Sequence, residues 1–133
     1  MIRRVAALVL LALAATSVPA LAQQADLKST ALIGLARTRR DAGDLEDAAR
    51  YFAEARSLRP LTADQLAEYF WVLRPVSPRE ALAVARDVLR TTPKLDAIRE
   101  GAIAGALDLG DESTVQAFAE EGCHLHLAAR SKD

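Results

Sequence analysis

The sequence predicts an all-α fold of six helices in about three antiparallel hairpins. Three observations carry this expectation. Apolar residues recur at helical spacing from Gln23 onward, with few β-branched runs and no period-2 alternation. Gly43-Asp44 and Gly110-Asp111 mark tight turns between helical segments. Pro60, Pro75 and Pro93 stand where helices are expected to stop.

Residues 1–22 read as an export signal and not as part of the fold. Arg3 and Arg4 form a positive n-region, Val5 to Ala15 is an unbroken apolar run, and Ala20-Leu21-Ala22 is a small-x-small cleavage site. A spanning helix needs roughly 20 apolar residues, and Thr16, Ser17 and Pro19 interrupt this run. No Cys follows Ala22, which argues against a lipid anchor. The expected destination is the periplasm or the exterior, with no stable membrane anchor after cleavage. Cleavage leaves 111 residues, 15 basic and 18 acidic, for a net charge of −3. That length suits one small domain with one modest core. The acidic balance gives no reason to expect nucleic acid as a partner. The lone Cys123 leaves no internal disulfide, so stability must come from packing.

The first helix is expected from about Asp26 or Ser29 to Asp41, with Leu32, Leu35 and Ala36 as its inward stripe. Gly43 supplies a positive-φ stop and Asp44 caps the second helix, which runs to about Ser57. Ala48, Phe52 and Ala55 face inward there, with Tyr51 beside them. The third helix opens with the capping box Thr62-Ala-Asp-Gln65, carries Leu66, Tyr69, Phe70, Trp71 and Leu73, and ends at Pro75. Ser77-Pro-Arg-Glu80 reads as a second capping box, with Pro78 at the first helical position. The fourth helix turns Leu82, Ala85, Val88 and Leu89 inward and ends before Pro93. The fifth runs from about Pro93 to Leu109. Its Gly101 and Gly105 each cost roughly 1 kcal/mol against Ala, which points to close helix contact. The sixth runs from about Glu112 to Glu121, with Val115, Phe118 and Ala119 inward and Gly122 as C-cap. The domain is thus expected over residues 23–122, with 123–133 as a tail.

The segment from Ser29 to Pro60 resembles a tetratricopeptide repeat, a helix hairpin of about 34 residues that stacks on copies of itself. Leu32 takes the usual Trp position, Leu35 the Leu position and Ala36 the small-residue position. Ala48, Phe52 and Ala55 fall on the second-helix signature, and Pro60 on the terminal proline. Arg39 stands where an aromatic is usual. The second repeat departs further: Glu68 and Tyr69 occupy the Leu and small positions, and Val76-Ser77-Pro78 replaces the Gly-Asp turn. The third, from Asp96, keeps Gly110-Asp111 but has Val115 and Gly122 for its signature alanines. The resemblance implies a right-handed stack whose first helices line a groove that binds other proteins. An irregular all-α bundle is the alternative.

The family's groove positions fall on Ile33, Arg37 and Arg40 in the first repeat. In the second they fall on Leu66, Phe70 and Leu73, with Arg74 next. In the third they fall on Glu100, Ala104 and Leu107, with Asp108 next. Arginines beside an apolar patch suit an acidic or C-terminal peptide segment. The Lys and Asn that some members use to clamp a terminal carboxylate are not at these positions. Alternatively, the arginines form a solvated face paired with Asp41, Asp44 and Asp47. Phe70 and Trp71 point about 100° apart on a helix, so one belongs to the core and the other to a groove or interface; for Trp71, the sole tryptophan, core packing is the favoured reading.

Other chemistry finds little support. Cys123, His124 and His126 are metal-ligand types, but their spacing fits no zinc knuckle and there is no second Cys pair. No metal or cofactor is expected. Serines fall at helix ends or in the signal and tail, and no nucleophile elbow, phosphate-binding loop or dinucleotide fingerprint is present. Glu120-Glu121 lies near two histidines, but at a domain end where no cavity is expected. The expectation is therefore not an enzyme. It is an exported adaptor that holds a protein or peptide partner, in envelope assembly or in maturation of another exported protein. The alternative is a structural subunit packed permanently into a larger complex or a homo-oligomer.

Overall fold

The computed structural model describes the backbone from Ile2 to Ser131, and side chains for residues 19–125, 128, 130 and 131. The export signal read over residues 1–22 therefore falls largely on side chains outside the described set. Six helices follow in order: α1 (Ile2–Asp41), α2 (Leu45–Leu58), α3 (Ala63–Val76), α4 (Pro78–Thr91), α5 (Asp96–Asp108) and α6 (Glu112–Arg130). No strand occurs among the described residues, and no described helix is long and apolar enough to cross a membrane.

Short connections make each consecutive pair antiparallel neighbours. The hairpins α1/α2, α3/α4 and α5/α6 stack in sequence order, α2 meeting α3 and α4 meeting α5. In addition α3 touches α5, so the first helices of successive hairpins form one row.

The turns follow from the residues that make them. Gly43 has φ +82° and Gly110 φ +68°, backbone that disfavours any side chain. Asp44 caps α2 by accepting from the Asp47 backbone N–H at 3.3 Å. Asp111 does the same for α6, accepting from the Thr114 N–H at 3.1 Å. The Thr62 box closes in both directions: the Gln65 N–H donates to Thr62 Oγ1, and the Thr62 N–H donates to Gln65 Oε1. The second box does not form. Ser77 makes no side-chain cap bond, and Pro78 alone sets the start of α4.

Each hairpin buries alanines against large side chains. Ala36, Ala48, Phe52, Ala55, Phe70, Ala85, Val88, Ala102 and Ala106 are fully buried. Phe52 of α2 stacks on Tyr69 of α3, ring centroids 5.5 Å apart, and joins the first two hairpins. The buried Ser29 hydroxyl donates to the Ala55 carbonyl at 3.3 Å and ties α1 to α2.

Other expectations need correction: the α1 helix starts at Ile2 and not near Asp26 or Ser29, and Ala119 of α6 is exposed, not inward. The α1 stripe is Leu32, Ile33 and Ala36, because Leu35 is 47 % exposed. Pro75 does not end α3, which runs one residue further to Val76. Proline removes one helical donor but leaves its own carbonyl and φ compatible with a last turn. The α5 helix starts at Asp96, since Pro93 and Lys94 form a turn in which the Leu95 N–H donates to the Thr92 carbonyl. Finally, Gly122 is no C-cap. The α6 helix passes through it to Arg130, so residues 123–130 extend the last helix.

Candidate functional site

The predicted groove splits into core, clamp and rim. Ile33 is 2 % exposed, Leu66 9 %, Phe70 0 % and Leu73 2 %. They are core residues and offer no surface to a partner. The middle hairpin is covered on both sides, so α3 buries a wider arc than a terminal helix does. Family groove positions counted along it therefore land in the core.

Arg37 and Arg40 stand at the surface but face Glu68 of the next hairpin. Arg37 Nε and Nη2 donate to the two Glu68 oxygens at 2.9 and 2.7 Å, a bidentate pair. Arg40 Nη1 adds a third bond at 3.0 Å, and its Nε reaches Asp41. The Arg37 hydrogen bonds, reinforced by Arg40, hold the Glu68 carboxyl below the usual carboxylate range, against a smaller upward push from burial. Glu68, one of the departures from the repeat that this chain resembles, here fastens α1 to α3. The other helix row has matching ties. Arg56 of α2 pairs with Asp87 of α4, and Arg86 of α4 donates to Thr114 Oγ1 of α6 at 3.1 Å. Of the acidic partners expected for the arginines, Asp41 pairs with Arg40 and Asp44 with Arg39, whereas Asp47 takes Arg50.

What remains open on the α1–α3–α5 row centres on Trp71. It is 44 % exposed, while its neighbour Phe70 is fully buried, as an adjacent pair on a helix requires. The two rings meet edge to face at 4.9 Å. Gly101 of α5 sits under both, and a Cβ there would lie 2.8 Å from Trp71 Cη2 and 3.0 Å from Phe70 Cε1. Arg74 lies over the indole, 5.7 Å from its centroid. Trp71, Arg74, Pro75 and Asp108 line a shallow hollow of about 360 Å³ between α3 and α5. Arg74 and Asp108, both expected groove positions, are thus brought together, and Leu107 beside them is 60 % exposed. The expectation of core packing for Trp71, with Phe70 in the groove, is reversed: Phe70 is buried and Trp71 exposed.

A second and larger hollow of about 680 Å³ lies on the opposite row, between the end of α4, the α4–α5 turn and the second half of α6. Its presence beside Glu121 and His124 corrects the expectation that this end holds no cavity. The α6 extension builds one wall with His124, Leu125 and Ala128. Gly122 makes that wall possible, because a Cβ there would sit 3.0 Å from Arg99 Cδ. Cys123 and His124 are exposed, and the His126 side chain lies outside the described set. Among the described residues no group of three metal-ligating side chains converges.

Compared with known proteins, the chain matches no family model and none of the curated proteins.

Proposed function

We propose that this chain is an exported adaptor of the tetratricopeptide-repeat kind, which holds a partner protein or peptide segment on the α1–α3–α5 row. The observation that carries the reading is the half-exposed Trp71 with Arg74 stacked over it. A solvent-facing indole costs burial energy that a folded chain without a partner gains nothing by giving up. Tryptophan and arginine are also the residue types that dominate binding hot spots. The hollow beside them supplies a concave seat, and exposed Leu107 extends its apolar surface. Arg74 favours an acidic partner segment, whereas Arg37 and Arg40 are already held by Glu68. The N-terminal signal pattern supports a site of action in the periplasm or outside the cell. Nothing in the sequence calls for nucleic acid, a cofactor or catalysis.

The test is capture of partners from periplasmic extract by the tagged chain, with Trp71→Ala/Arg74→Glu as control. Proteins retained by the wild type and lost by the double variant support the adaptor. Identical retention by both removes this surface from the reading.

The alternative of a permanent subunit has its own observation. Leu27 and Leu35 of α1 are 68 % and 47 % exposed, on the outer edge of the terminal hairpin. Terminal repeats usually carry a polar outer face, so an apolar one suits a lasting neighbour. Purification as a stable monomer at micromolar concentration with no accompanying chain counts against that alternative.

A further inference from the structure

The larger hollow combines two features that one ligand must satisfy together. Its floor carries Arg99, whose side chain is only 7 % exposed. That guanidinium donates to the Pro93 carbonyl at 2.7 Å and to Asp96 at 3.3 Å, but its Nε is buried without a partner. That Nε lies against α6 at Gly122 and is closed to a ligand, so what favours an anion in the hollow is the guanidinium charge and not the unused donor. Arg86 and Arg90 also line it, with Glu121 as the one carboxylate in the lining, while Asp87 pairs with Arg90 at 3.6 Å and Asp96 with Arg99 from outside it. The lining itself is therefore basic, three guanidinium groups to one carboxylate, although Asp87 and Asp96 stand behind two of them. The remaining walls are apolar: Leu89 and Pro93 on one side, Leu125 and Ala128 on the other. The volume falls in the range of small-molecule sites. A bare inorganic anion would leave those walls wet, and a neutral apolar molecule would leave the guanidinium groups unmatched.

We propose that this cavity binds a single-chain carboxylate amphiphile of the fatty-acid class. The carboxylate lies among Arg99, Arg90 and Arg86, and the tail runs between α4 and the α6 extension. The site is on the opposite helix row from Trp71 and does not depend on the adaptor reading.

The test is a calorimetric titration of the purified full chain with decanoate below its micellar concentration. The expected result is one saturable site. Methyl decanoate, which keeps the tail and loses the charge, should bind at least about tenfold more weakly, the scale of one charge-assisted hydrogen bond. Arg90→Glu should weaken decanoate by a similar factor with an unchanged helical spectrum. Its side chain is 77 % exposed, so the fold does not rest on it. Leu125→Glu tests the tail wall independently and should weaken decanoate by at least as much. No saturation by folded protein would overturn the proposal. So would equal affinity for acid and ester, or for wild type and Arg90→Glu. A leucine-terminated peptide that binds as tightly as decanoate would assign the cavity to chain ends and overturn the fatty-acid assignment. The outcome leaves the Trp71 capture experiment untouched, so the two readings stand or fall separately.

Discussion

Glu68 gathers three arginine hydrogen bonds from a neighbouring hairpin, and its ionisation is coupled to the fold. Its carboxyl lies below the ordinary range in the folded chain, so folding favours the charged form. That contribution is complete above the unfolded pKa of about 4.3 and fades as pH falls through the lower folded value. Arg37 is about half exposed, and solvent screens the pair. Glu68→Gln should therefore cost only about 1 kcal/mol at pH 7. Urea unfolding from pH 7 to pH 3 should show a shallower acid loss in the variant. The loss should not vanish, because hydrogen bonds from Thr114 and Ser113 also hold Asp111 low. An unchanged pH profile would mean the three bonds contribute nothing in solution. Gly101 poses a packing question at the same scale. Alanine there gains up to about 1 kcal/mol of helix propensity but drives a methyl into Phe70, which is fully buried and has nowhere to go. Overpacking costs about 1–3 kcal/mol, so Gly101→Ala should destabilise by roughly 1 kcal/mol. It should also shift the emission of the single tryptophan. Gly34 is the control, since nothing lies within 4 Å of a Cβ there. Gly34→Ala should stabilise by about 0.5–1 kcal/mol.

At the scale of the helix, Thr62 and Ser77 look alike in sequence, each followed three residues later by a partner for a capping box. Only Thr62 closes one. Thr62→Ala should lower stability by about 1 kcal/mol, whereas Ser77→Ala should be close to neutral. Chemical denaturation of the two variants checks both, and equal losses would contradict the geometry. The pair shows what sequence reveals and what it leaves open. Gly43, Asp44, Gly110 and Asp111 were legible because positive φ and capping are local demands that few residues meet. The faces of α1 were not. Residues 31–36 are Ala-Leu-Ile-Gly-Leu-Ala, nearly apolar all round, so the spacing alone allows two stripes. The position of α2 decides in favour of Ile33 over Leu35. Gly122 was read as a terminus because glycine serves both caps and close approaches. Its neighbour Arg99 is 23 residues away in the chain, and no local pattern records it. Leu125, seven residues beyond Phe118, did carry the helical period past that glycine. The groove positions failed for a related reason. Pattern positions count along one helix, but exposure depends on what packs against each face: Ile33 is buried in a hairpin with one neighbour, and Leu66, Phe70 and Leu73 in one with two.

For the whole molecule, each hairpin packs chiefly against the next in sequence. Stability in such a stack is close to a sum of hairpin terms and interface terms. The hairpin α3/α4 has neighbours on both sides, and the largest fully buried side chains, Phe52 and Phe70, lie at its two interfaces. Its backbone amides should therefore exchange slowest with solvent, while the outer hairpins open at lower free energy. Phe52 gives a direct test, because its ring bridges α2 and α3 by stacking on Tyr69. Phe52→Leu keeps an apolar side chain but loses the stacked ring, and should cost roughly 1–2 kcal/mol. The loss should not spread evenly. Hydrogen exchange read by mass spectrometry should accelerate most in α1 and α2, which lose their main hold on the stack, and least in α5 and α6. The Arg37–Glu68–Arg40 cluster and the Arg56–Asp87 pair remain as ties across that interface, so α1 and α2 should loosen without detaching. Combining Phe52→Leu with Glu68→Gln should then loosen them further, with a loss larger than the two single effects added. Uniform acceleration across all six helices would instead show one cooperative unit, in which hairpins have no separate stability.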